Sequence, residues 1–221
     1  MAYCDQGTYA LVQDRDDAFE GLYRSLFKRA LDLLAVAILA IPVSLVVLFF
    51  AALVALDGKA PFYIQKRIGR EGRIFKMVKL RSMVPNAKAK LDAYLAENPA
   101  EAREWEEKQK LLNDPRITPI GHLIRKTSMD ELPQLWNVLI GDMSLVGPRP
   151  IMVDQKAIYP SSAYYDLRPG ITGPWQVSSR NESSFAERAQ FDAGYLNELS
   201  FASDARIMMK TVGVVLAANG H

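Results

Sequence analysis

Residues 33–56 read "LLAVAILAIPVSLVVLFFAALVAL" and hold no charged side chain. As a helix rising 1.5 Å per residue this stretch reaches about 36 Å, more than the roughly 30 Å hydrocarbon layer of a bilayer. It reads as a membrane segment, and it divides the chain into a flexible cytoplasmic lead-in at 1–22, a membrane element at 23–58 and a polar remainder at 59–221. Pro42 splits the run into limbs of about nine and fourteen residues, each too short to span. Arg24, Lys28 and Arg29 precede the run, and Lys59, Lys66, Arg67, Arg70 and Arg73 follow it, so both flanks carry the positive charge of a cytoplasmic side. A bent segment that returns to the side it entered satisfies these residues. So does a straight or kinked single span, because proline is tolerated in membrane helices.

The rest of the composition narrows the classes. A chain of 221 residues accommodates one domain with a sizeable core. Its 27 Lys and Arg against 25 Asp and Glu leave a net charge of +2, too little to argue for nucleic acid; any anion site must come from local clustering. Cys4 is the single cysteine, which excludes an intrachain disulfide and fits a reducing compartment. His122 and His221 have no metal-ligand spacing, and His122 between Gly121 and Leu123 reads as a packed or surface residue. The lead-in, with Asp5, Asp14, Asp16, Asp17 and Glu20, lacks the basic start and apolar core of a secretory signal.

Beyond the apolar run, "APFYIQKRIGREGRIFKMVKLRSM" (60–83) predicts a hairpin punctuated by Gly69 and Gly72. A period of two then puts Lys79 and Arg81 on one strand face. From Asn86 to Leu112 two exposed helices are expected, divided at Asn98-Pro99. "SDARIMMKTVGVVLAANGH" (203–221) predicts an amphipathic or apolar helix that closes the core or lies on a membrane face.

"SMDELPQLWN" (128–137) sets Asp130 and Glu131 side by side. A helix from Asp130 to Ile140, stopped by Gly141, would make Asp130 the N-cap and explain both acids by capping alone. The same position would keep Asp130 ionised through the helix dipole, as a nucleophile or metal ligand must be. Arg125 and Lys126 lie close by in sequence, while Arg149, Arg168 and Arg180 fall in Gly- and Pro-rich loops, where guanidinium forks hold phosphate. An acid pair among such cations suits phosphate chemistry with a divalent metal.

From about Tyr23 onward the chain resembles the bacterial sugar transferases called monotopic phosphoglycosyl transferases. Three motifs in order carry the resemblance: "GREGRIFKMVKLRSM", "DPRITPIGHLIRKTSMDELPQLWNVLIGDMSLVGPRP" and "LRPGITGPWQVSSRNESSFAERAQFDAGYL". The chain is similar to the family's short form and to its exopolysaccharide-initiating galactose or glucose members. The resemblance implies an α/β fold, mostly α with a small sheet, whose globular catalytic domain is anchored by a re-entrant helical hairpin and interfacial amphipathic helices. It implies Asp130 as nucleophile toward a UDP-sugar and Glu131 as the partner acid, the two together holding Mg²⁺. UMP leaves, and undecaprenyl phosphate then collects the phosphosugar, with galactose or glucose as the hexose. Lys79, Arg125 and Arg149 are the implied diphosphate or nucleotide contacts, followed by Arg81, Arg180, Asn181 and Asp192. The bend falls at Pro42, where Ile41 replaces the family's serine. The implied partners are UDP-sugar, undecaprenyl phosphate and membrane lipids, without nucleic acid, while oligomeric state is left open, a homo-oligomer included; the implied place is the cytoplasmic face of the inner membrane. Two other readings stay open: an inactive, membrane-anchored scaffold that binds nucleotide sugar, and a single-pass protein carrying a soluble hydrolase domain.

Overall fold

The computed structural model describes residues 21–108, 111–178, 185 and 187–216; most of the lead-in, with Cys4, and the terminal His221 lie outside these. After a π-helical turn at Tyr23–Phe27, helix α1 (Lys28–Ala55) runs unbroken through Pro42. Both of its ends are held by the same body. At the start, Arg29 donates to the Val138 and Leu139 carbonyls, the Leu145 N–H donates to Asp32, and Val36 packs on Phe75, Met77, Val138 and Met143. At the finish, Ala51 and Val54 pack with Leu80 and Ile124, and Arg81 donates to the Val54 carbonyl. Between them, Ala37 to Pro42 are exposed in succession, which a helix lying flat on a core would not allow at 3.6 residues per turn.

The expected hairpin forms: β1 (Phe62–Ile68) pairs antiparallel with β2 (Ile74–Leu80), turning through Glu71 and Gly72, both at positive φ. Partners in register share a face, so Arg67, Phe75, Met77 and Lys79 look the same way. The strand ends at Leu80, and Arg81 therefore escapes the alternation that would have placed it beside Lys79. Its guanidinium binds Asp57 at 2.6 Å together with the Ala60 and Val54 carbonyls.

Helices α2 (Ala87–Glu97) and α3 (Pro99–Lys108) divide at Asn98, as the proline after it demands. Helix α4 (Pro119–Lys126) starts at Thr118, whose hydroxyl accepts from the Gly121 N–H at 2.9 Å. The single helix expected from Asp130 to Ile140 is instead a 3₁₀ turn, Met129–Gln134, followed by α5 (Leu135–Ile140). Pro133 has no N–H to give, and the turn tightens to three-residue closure, with the Glu131 N–H on the Ser128 carbonyl at 3.2 Å. Gly141 ends α5 at φ 94° as expected.

Strand β3 (Ser144–Val146) pairs in parallel with β4 (Gly170–Thr172), the two bracketing α6 (Ala163–Asp166). Glycines make this closeness possible: a Cβ on Gly170 would lie 2.1 Å from the Gly147 nitrogen. The Gly147–Pro150 loop is pinned at the same place. Helices α7 (Arg188–Asn197) and α8 (Phe201–Leu216) complete the chain. A buried carboxylate, Asp204, ties α8 to the root of α1, accepting from Tyr23 at 2.7 Å, Lys28 at 2.5 Å and Tyr195 at 2.6 Å. Among the described residues the fold is thus mostly helical α/β with two small sheets, and one apolar helix long enough to anchor a membrane.

Candidate active site

Three segments meet at the acid pair: β2 with Lys79, the 3₁₀ turn with Asp130 and Glu131, and the Gly147–Pro150 loop with Arg149. Ser128, at φ 57°, holds a left-handed conformation that costs a side-chain-bearing residue on the order of 1 kcal/mol. It makes the sharp entry into the turn and delivers both acids to the Lys79 ammonium. Lys79 Nζ lies 2.8 Å from Glu131 Oε1 and 3.9 Å from Asp130 Oδ2, so one cation bridges the pair. Arg149 approaches Glu131 Oε1 at 3.4 Å from the other side. The cavity is lined by Arg67, Lys79, Glu131, Gln134 and Arg149, with Met77, Pro150, Gly170 and Ile171 closing it.

Electrostatics separate the two acids. Burial opposes the charge of Glu131, but Lys79 and Arg149 outweigh it and hold its carboxyl at about 2. Asp130, 8% exposed, is pushed above the ordinary carboxylate range by burial and by the Glu131 charge; Lys79, Arg125 and Arg149 offset only part. The expected N-cap role fails, because Ser128 takes that position and Asp130 sits inside the turn. Whatever keeps Asp130 charged is therefore its cationic neighbourhood rather than a helix dipole. Arg125 belongs to that neighbourhood: burial lowers its guanidinium, and the charge that most opposes this is Asp130.

The other expected residues are placed elsewhere. Arg81 clips the end of α1, as above. Asp192 is fully buried behind the loop, accepts from Tyr159 and is raised by burial to about 6, with Arg188 opposing the rise. Arg168 donates to the Gly141 carbonyl at 3.1 Å, Pro42 lies mid-helix in α1, and Arg180 and Asn181 fall outside the described residues.

Sequence reading passed over Arg67, Gln134 and Arg188. Arg67 shares the Lys79 face and donates to the Pro150 carbonyl at 3.0 Å; the strand period, extended across the hairpin, would have found it. Arg188 is 5% exposed, lies over the rings of Trp175, Phe185 and Tyr159 at 5.3–5.8 Å, and donates to the Arg149 carbonyl. No local signal marks it, since its partners come from three separate segments.

Chemically, the cavity offers the Glu131 carboxylate in a wall of cations, with the buried Asp130 carboxyl beside it across Lys79, an arrangement for anionic phosphate. No group of three or more His, Cys, Asp or Glu suited to a metal occurs among the described residues. Magnesium, though, commonly takes one or two carboxylates and completes its shell with substrate phosphate and water, so Asp130 and Glu131 fit that ion.

Comparison with known proteins agrees with the motifs. The family model described as "Bacterial sugar transferase" matches residues 23–218. The chain is 50% identical over 198 residues to the UDP-galactose-lipid carrier transferase of Erwinia amylovora, covering 87% of this chain and 41% of that protein. It is 45% identical over 195 residues to the undecaprenyl-phosphate galactose phosphotransferase of Salmonella typhimurium, with 87% and 41% covered. Against the exopolysaccharide production protein ExoY of Sinorhizobium fredii, identity is 42% over 196 residues, and 87% of each chain is covered. The chain thus spans about two fifths of the length of the first two relatives and most of the third.

Proposed function

The chain belongs to the bacterial sugar transferase family, and from that premise we propose that it moves a hexose 1-phosphate from a UDP-sugar to undecaprenyl phosphate, releasing UMP, as the first membrane step of exopolysaccharide or another lipid-linked glycan. The relatives' names supply the substrate classes, with galactose as the hexose they name. The observation that carries the reading for this chain is the buried Asp130–Glu131 pair bridged by Lys79 and flanked by Arg149, with Glu131 opening on a cation-lined cavity.

In the first step an Asp130 carboxylate oxygen bonds to the sugar-side phosphorus of the UDP-sugar. The bridging P–O bond breaks, and its electron pair leaves on UMP. An aspartyl-phosphosugar remains. In the second step an oxygen of undecaprenyl phosphate bonds to the same phosphorus and the bond to Asp130 breaks, restoring the carboxylate. Lys79, Arg125 and Arg149 favour the charged form of Asp130 that the attack requires, and Arg149 and Arg67 present guanidinium charge to the diphosphate. Glu131 holds Lys79 and Arg149 in place. Mg²⁺ bound at Asp130 and Glu131 would supply further positive charge against the phosphoryl oxygens.

A polyprenol tail stays in the bilayer, so the acid pair must sit at its surface. The packing of both ends of α1 on one globular body supports a membrane element that enters and leaves on one side, the cytoplasmic face of the inner membrane. Helix ends on opposite sides could not share that body. The exposed Leu34, Ile38, Ile41, Leu45, Leu48 and Phe49 of α1 then face lipid. A single-pass arrangement with a hydrolase domain would leave one end of α1 without these contacts. The scaffold reading is not favoured, since the acids and their cations are all present.

The test follows UMP release in detergent or lipid particles from UDP-galactose and UDP-glucose with Mg²⁺, with and without undecaprenyl phosphate. Wild type should turn over only with lipid, and Asp130→Asn should neither turn over nor retain labelled sugar phosphate. No UMP from either UDP-sugar would return the chain to the scaffold reading.

A further inference from the structure

Each cationic side chain that lines the cavity has a partner within the protein. Lys79 and Arg149 donate to Glu131, and Arg67 donates to Gln65 and the Pro150 carbonyl. Gln134 differs. It is 2% exposed, it lines the same cavity, and its Nε2 has no hydrogen-bond partner. Among the described residues of the cavity wall it is the buried side-chain donor left unmet.

Its position has a local cause. In a 3₁₀ turn, side chains three residues apart eclipse, so Glu131 and Gln134 emerge on one side of the turn. The turn that Pro133 tightens therefore sets an amide beside Glu131 on the cavity wall. A buried amide donor without an acceptor is unfavourable, and an unbranched apolar side chain of the same length would fill the space without that penalty. The donor is satisfied when an acceptor enters the cavity, and a wall of cations selects an anionic one.

We propose that Gln134 Nε2 donates a hydrogen bond to a non-bridging oxygen of the phosphoryl group that passes through this cavity. This rests on the transferase reading above and adds a residue to it. As the Asp130 oxygen bonds to phosphorus and the electron pair of the breaking P–O bond departs with UMP, the non-bridging oxygens remain in the cavity; the same oxygens are there when lipid phosphate displaces Asp130. A neutral donor serves both steps without changing charge. It also leaves Lys79 and Arg149 on Glu131, where they hold the acids apart in charge.

The experiment compares full-length wild type, Gln134→Met and Gln134→Glu in the same lipid particles with Mg²⁺. It records the thermal midpoint, steady-state kcat and KM for UMP release, and the single-turnover rate of labelled aspartyl-phosphosugar formation. Gln134→Met should melt at or above the wild-type midpoint, because it removes an unmet buried donor. Its single-turnover rate should fall about 10²–10³-fold, the usual loss for one donor to a developing oxyanion, with KM changed far less. Gln134→Glu should fall at least as far, having exchanged a donor for an anion. A Gln134→Met rate within threefold of wild type overturns the proposal. So does a rate loss accompanied by a lowered midpoint, which assigns Gln134 to holding the turn. In both cases wild-type turnover leaves the transferase reading standing, whereas no UMP from wild type overturns that reading and this one together.

Discussion

Replacing Lys79 by methionine removes the charge that both acids share while keeping most of the side-chain volume. Lys79, Asp130 and Glu131 are 16%, 11% and 19% exposed in their side chains, so solvent screens the triad only partly. Against the pull of burial, Lys79 and then Arg149 bring the Glu131 carboxyl from 4.5 to about 2. At about 1.36 kcal/mol per pH unit that depression stabilises the fold by roughly 3 kcal/mol at neutral pH, and Lys79 is the foremost charge behind it. For a depressed acid this contribution is complete above the unfolded value of 4.5 and is lost as the pH falls toward 2. Asp130 has the opposite sign: its raised carboxyl makes ionisation a cost above its unfolded value of 3.8, and losing Lys79 deepens that cost at neutral pH. Both acids therefore give Lys79→Met a deficit at pH 7 that shrinks toward pH 3. In a chain of this size each kcal/mol lost lowers the midpoint by about 2–4 °C. Thermal unfolding followed by tryptophan fluorescence at pH 7, 5 and 3.5, in one detergent, measures it. A deficit of equal size at all three, or none at pH 7, would refute the reasoning.

Asp204→Ala should lower stability by about 3–5 kcal/mol, because it leaves the Lys28 ammonium, 13% exposed, without its carboxylate and removes the acceptor that the Tyr23 and Tyr195 hydroxyls share. The same thermal assay reads it, and limited proteolysis near residue 200 should accelerate as α8 loosens. Gly170→Ala places a Cβ 2.1 Å from the Gly147 nitrogen and 2.3 Å from the Thr172 oxygen. Backbone must move to admit it, at about 1–3 kcal/mol or more, and the displacement of Arg149 should lower UMP release beyond what the midpoint explains.

Much of this was legible in the sequence because it is local. The apolar run, the glycine-punctuated hairpin, the division at Asn98-Pro99 and the stop at Gly141 each follow from a few adjacent residues. The acid pair was legible for the same reason, as was its resemblance to a family. What escaped depends on contacts across the chain. Asp130 was expected as an N-cap, but Pro133 three residues on draws the segment into a 3₁₀ turn and removes the helix dipole from the argument. Arg81 was paired with Lys79 by alternation, yet the strand stops one residue short of it. The cage around Arg188 joins residues 159, 175 and 185, which no window of sequence places together. Asp192, an isolated acid in its helix, carries no local mark of its burial behind the site.

Strand β2 also connects two distances. Lys79 holds the acid pair, and Arg81, about 7 Å further along the extended backbone, holds the Val54 carbonyl at the end of α1. With α1 seated in lipid as proposed, these residues form a gauge between the depth of the apolar helix and the height of the reacting carboxylate. A bilayer that thickens or thins around α1 would pull on one end of that gauge, and the other end is the salt bridge that sets the charge of the proposed nucleophile. Turnover in such a protein would report the hydrocarbon thickness beneath it, falling away on either side of the acyl length at which Lys79 reaches both acids.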